Sequence, residues 1–217
     1  MSSAFFYGAA AGLSLALGRA SVWIWNRTPE RWLCDYGECG IPGGHRTIAC
    51  TFQWSVFLGT PFFILMLRAD GCVSKFVPAA AGALALIQLA AGDARYRILP
   101  DQWILCLAAA GLMFPVPAAA RAAGLLAPLA VYIPAALIAR ASGRLPGLGA
   151  GDAKLASAAG FAFGIPAMGI IFCRAFLAAG LWASLLLFTK KAARGDRIAF
   201  GPFAALSCYL YLLSLIR

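Results

Sequence analysis

The feature that most constrains this chain is a succession of apolar runs, each close to the roughly 20 residues that a helix needs to cross a ~30 Å hydrocarbon layer. They fall near 4–25, 53–67, 76–92, 102–120, 122–139, 155–173, 175–189 and 199–216. With 62% of its 217 residues hydrophobic, the chain holds more apolar surface than a soluble domain of this size can bury. The expected fold is therefore all-α: a polytopic membrane protein of about eight transmembrane helices in one domain over 1–217, with one short cytoplasmic loop near 26–52.

Charge refines this picture. The net charge of +10 raises the possibility of nucleic-acid binding, but the 18 basic residues are scattered between apolar runs and form no continuous stripe. No nucleic acid is expected; the lipid bilayer is. With the N-terminus outside, twelve basic residues fall on the cytoplasmic side and five on the other, Arg68, Lys75, Arg121, Arg174 and Arg217. That asymmetry predicts an N-out, C-out arrangement. The first run has no basic residue ahead of it, so it reads as a retained helix and not as a cleaved signal.

Prolines 61, 78, 128, 134 and 166 lie within the runs and predict kinks. Trp23, Trp25, Trp32, Trp54 and Trp103 lie near run ends and read as interfacial anchors. Cys106, Cys173 and Cys208 lie inside runs, where a thiol behaves as a small hydrophobe.

The chemistry must come from a short census of eight acids, three of which stand at run ends: Asp93, Asp101 and Asp152. An ionisable group at a membrane boundary is a functional candidate by default, and a helix cap or a snorkelling ion pair is the plain alternative. Asp101, directly after Pro100, suits helix capping. Asp152 could also cap a helix, with Lys154 to neutralise it, but Gly147, Gly149 and Gly151 ahead of it leave a backbone that an extended substrate can approach. The string lacks the lysine and hydroxyl residue of a phosphate-binding loop. Two aspartates brought together in a poorly hydrated pocket share one proton, and such a pair can activate water against a peptide carbonyl.

Asp93, Arg95, Pro100 and Asp101 resemble the first motif of the type IV prepilin peptidases, members of the GxGD intramembrane aspartyl proteases. Gly149, Gly151, Asp152, Lys154 and Leu155 resemble the second, GxGDxKL, and the segment 198–206 with Gly201 and Pro202 resembles the FGP segment that opens the family's final helix. Gly18, Arg27 and Pro29 sit at the spacing of a further N-terminal element, with Arg19 and Val22 in place of its serine and asparagine. The resemblance implies cleavage, at the cytoplasmic face of the bacterial inner membrane, of a short basic leader from a prepilin or pseudopilin. It carries Asp93 and Asp152 over as the catalytic pair, with Gly149, Gly151, Lys154, Arg95, Pro100, Gly201 and Pro202 as substrate-binding or supporting residues.

Many such proteins also methylate the new N-terminus with S-adenosylmethionine and bind zinc through two CxxC pairs. Here no CxxC is present, although Cys34, Cys39, His45 and Cys50 offer four N/S donors. The peptidase itself requires no cofactor, and the residues leave open whether this chain methylates its product. Two readings from other classes compete with the enzyme: a small proton-coupled transporter, and a structural subunit of a pilus or secretion assembly. The oligomeric state is not legible.

Overall fold

A computed structural model describes residues 3–34, 41, 44–143, 149–191, 193 and 198–216. Cys39 and Gly147, the acids Asp35, Glu38 and Asp196, and the basic residues Arg144, Arg194, Arg197 and Arg217 lie outside the described residues. Eight α-helices are described: α1 (Ser3–Arg27), α2 (Phe52–Arg68), α3 (Val73–Tyr96), α4 (Asp101–Gly111), α5 (Ala118–Ala141), α6 (Ala150–Phe163), α7 (Ile165–Phe188) and α8 (Gly201–Leu215). There is no strand among the described residues.

Four of these, α1, α3, α5 and α7, are long and apolar enough to cross a membrane. The others are shorter for local reasons. Helix α4 stops after 11 residues because Pro115 and Pro117 follow it, and neither can supply the amide that helix continuation needs. Helix α6 stops after 14 at Gly164, whose φ of +86° turns the chain, and Pro166 then opens α7.

That turn corrects the sequence expectation. The predicted sixth run, 155–173, joins α6 to the start of α7, and the predicted seventh begins where α7 is already under way. The break was placed at the charge of Arg174, which instead lies inside α7. Arg121 is likewise no loop residue but sits in the opening of α5. Both leave the loop count on which the orientation was argued. Pro166 kinks nothing, since it stands at the N-terminus of its helix, where its missing N–H has no partner to lose.

Helices α1 and α2 pack as a hairpin, and α3 lies among α2, α4 and α8. Helix α6 packs on α4, α5 and α7. Small residues permit the close crossings: a methyl group at Gly124 would strike the Gly160 backbone of α6, and one at Gly18 would strike Ser55 and Gly59 of α2. Gly18 therefore acts in helix packing. The core runs through Leu86, Leu89, Leu107, Leu155 and Leu212, while Gly124 is the only buried residue of α5. The apolar exterior of α5 is what a helix facing lipid should present.

Arg121 ties the α4–α5–α6 junction together. Its guanidinium donates to the carbonyls of Gly111, Leu112, Phe114, Val116 and Phe161, at 2.6 to 3.4 Å. These include acceptors that the end of α4 leaves without intrahelical partners.

Candidate active site

Three helix ends converge on two carboxylates. Asp93 lies in the last turn of α3, Asp152 in the first turn of α6, and Gly201 is the first residue of α8. Asp93 is buried, with 7% of its surface exposed, and its Oδ2 accepts the Gly201 N–H at 2.6 Å. A Cβ at position 201 would lie 2.7 Å from Asp93 Cβ and 2.8 Å from its Oδ2, so only glycine admits the carboxylate here. Pro202, next in α8, has no N–H to offer and fits the first turn, where none is needed.

The chain after Asp93 folds back on itself. Arg97 caps α3 with φ of +59°, its N–H donating to the Asp93 carbonyl at 3.0 Å. Ile98 and Pro100 then pack over Gly92, where a Cβ would come within 2.9 Å of the Ile98 carbonyl. Pro100 serves as the N-cap of α4 and sets the direction of the next helix. The Arg97 charge acts on Asp93.

Asp152 occupies the third position of α6 and accepts the backbone N–H of Gly149, the N-cap. This is the reach-back half of a capping box. A Cβ at 149 would lie 3.2 Å from Asp152 Oδ2, while Gly151 brings the start of α6 against Leu99. The capping role expected as the plain alternative for Asp152 is thus present. It does not exhaust the residue, because the charge of Asp93 acts directly on the Asp152 carboxyl group.

Lys154 reaches across to Asp101. Its Nζ donates to both Asp101 oxygens, at 2.9 and 2.8 Å, clamping α6 to the start of α4. Asp101 stands in the first turn of α4, but the N-cap is Pro100 and Asp101 spends its carboxylate on this ion pair.

Arg95 points away from the pair to the loop that follows α1. Its Nη1 donates to the Arg46 carbonyl at 2.7 Å, and its guanidinium lies 5.5 Å from the Trp25 ring centroid. Trp25, expected as an interfacial anchor, is 2% exposed and stacks on Tyr96 with ring centroids 6.1 Å apart. His45 completes the cluster. Its Nε2 is 2.9 Å from the Trp25 carbonyl and must donate, so Nδ1, 3.2 Å from the Tyr96 hydroxyl, is the acceptor.

Both ring nitrogens of His45 are therefore engaged, leaving no lone pair for a metal. Cys34 Sγ donates to the Glu30 carbonyl at 3.0 Å, and Cys50 is exposed. Among the described residues no three potential ligands converge. Cys39, the remaining candidate, lies outside the described residues.

The site holds two carboxyl groups, each held by a backbone amide, at a junction of helix ends. Such a pair can hold one proton between its members and position a water molecule. Sequence reasoning missed one neighbour, Gln88, which is fully buried on α3 and donates from Nε2 to the Ser21 carbonyl of α1 at 3.0 Å. A lone polar residue in the apolar stretch 83–91 was the signal available. Residues 80–186, which hold both aspartates, match the type IV leader peptidase family. No curated protein and no solved structure matches the chain.

Proposed function

Because the chain belongs to the type IV leader peptidase family, we propose that it is an aspartyl endopeptidase that removes the basic leader of type IV prepilins or pseudopilins. The proposed place is the cytoplasmic face of the bacterial inner membrane. The observation that carries this reading is the pairing of Asp93 and Asp152, whose charges interact although they lie on different helices.

In this proposal the two carboxyl groups share one proton, as an interacting pair in a poorly hydrated site does. The ionised member removes a proton from water as the water oxygen bonds to the scissile carbonyl carbon, and the protonated member gives its proton to the carbonyl oxygen. Collapse of the tetrahedral intermediate returns that proton, breaks the C–N bond and delivers the first proton to the leaving amine. One water is consumed, a carboxyl and an amine appear, and the pair regains its single proton.

Gly201 and Gly149 act as positioning residues, each holding one carboxylate through a backbone N–H. The Asp101–Lys154 pair bridges α4 and α6. The transporter and the structural subunit lack a comparable supporting observation. The test is cleavage by the purified chain: wild type should shorten a prepilin on a gel without partner proteins, and Asp93→Asn should not. Failure of the wild-type chain to cleave would reject the proposal.

A further inference from the structure

Helix α8 opens without a side-chain cap at its N-cap residue, Phe200, so the amides of its first turn look elsewhere for acceptors. Gly201 finds one in Asp93 Oδ2, at 2.6 Å. The direction of that N–H is set one residue earlier. The Phe200 carbonyl accepts the amides of Phe203 and Ala204, each at 3.1 Å, and so lies along α8. In a planar trans peptide the Gly201 N–H then points the opposite way, out of the helix end and toward Asp93. Whatever holds Phe200 therefore aims the donor.

Residues 198–200 lie outside any helix, so α8 does not inherit this orientation from a preceding turn. The Phe200 ring is gripped by α7. It stacks on Phe176 with ring centroids 4.7 Å apart and planes at 28°, and meets Phe172 at 6.0 Å. Phe172 and Phe176 are one turn apart on α7, with centroids 6.4 Å apart, so the three rings form one cluster. Phe172 is buried, whereas Phe176 is 54% exposed. A ring that exposed gains little from burial, and its stack on Phe200 is the interaction that singles it out.

We propose that Phe176 and Phe200 are positioning residues for the reaction: their stack ties the start of α8 to α7 and aims the Gly201 N–H at Asp93. The inference rests on the peptidase reading and extends the hold on Asp93 from α8 to α7. Both rings act through Gly201, and neither is assigned a contact with substrate.

The first test needs no activity. Hydrogen exchange at the Gly201 amide, followed by NMR in the full-length chain in lipid nanodiscs, reports the bond to Asp93. Phe176→Leu and Phe200→Leu should each speed exchange at Gly201 about 3- to 10-fold, with the middle of α3 and α6 unchanged. Phe200→Tyr keeps the ring and should stay within about 2-fold of wild type. Unchanged exchange at Gly201 in both leucine variants overturns the proposal, and so does equal acceleration throughout the fold.

The second test reads the reaction. In cleavage of a prepilin, Phe176→Leu should lower kcat about 3- to 10-fold and leave KM within about 2-fold. Phe188→Leu, at the 87% exposed end of the same helix, should change neither. On a Gly201→Ala background, Phe176→Leu should cost nothing further, because effects that pass through one contact are not additive. A loss of full size on that background, or a change in KM alone, overturns the assignment. If the wild-type chain does not cleave, the peptidase reading falls, and exchange at Gly201 still decides whether the stack aims its amide.

Discussion

The Gly201 amide and the Asp93 carboxylate, 108 positions apart, meet at 2.6 Å, so the first residue of α8 fixes one member of the acid pair. The contact leaves no space for a Cβ at 201. Gly201→Ala should push Asp93 aside and lower kcat about 100-fold, the penalty of roughly ångström misplacement. The clash with Asp93 Cβ should also cost about 1–3 kcal/mol of stability. Near-wild-type kcat would show that this contact does not position the carboxylate.

The shared proton sets the pH dependence. At low pH both carboxyl groups carry protons and no base remains; at high pH both are ionised and no acid remains. Cleavage of a basic-leader peptide, measured as kcat/KM against pH, should therefore be bell-shaped. A profile with a single limb across the stable range would show that only one carboxyl group titrates in the reaction.

The ion pair between Lys154 and Asp101 is more than a third exposed on both sides, so solvent screens it. A double-mutant cycle with Lys154→Met and Asp101→Asn should return a coupling of no more than about 1 kcal/mol of stability. A coupling several times larger would show that the pair is shielded in the bilayer.

Arg121 faces five carbonyls at the α4–α5–α6 junction. Arg121→Met should destabilise the fold by about 3 kcal/mol, since five charged hydrogen bonds are lost, although the Gly111 and Phe114 carbonyls keep the backbone donors of Phe114 and Val116. Arg121→Lys should recover only part, because an ammonium cannot reproduce the guanidinium fork. Equilibrium unfolding in mixed micelles reads both.

The sequence marked acids at the ends of apolar runs but not how they would be held. Asp93, Asp152 and Gly201 were legible because each motif is local: a carboxylate at the edge of an apolar run, or a glycine and proline opening one. Lys154 was assigned to its neighbour Asp152, whereas its partner Asp101 lies 53 positions away and only the fold brings them together. Helix boundaries failed for a related reason. An apolar stretch broken by one arginine invites a boundary at Arg174, yet Gly164 with Pro166 carried the true turn signal. Trp25 was read as an anchor because its partners, His45 and Tyr96, are distant in sequence.

The claim that Asp93 and Asp152 work as one unit is tested most directly by single-turnover cleavage with Asp93→Asn, Asp152→Asn and the double variant. Residues that act together lose activity non-additively. All three should fall to the same floor, at least about 1,000-fold below wild type, while still binding substrate. A single variant that retains activity, or a double variant whose loss is the product of the two, would contradict the account.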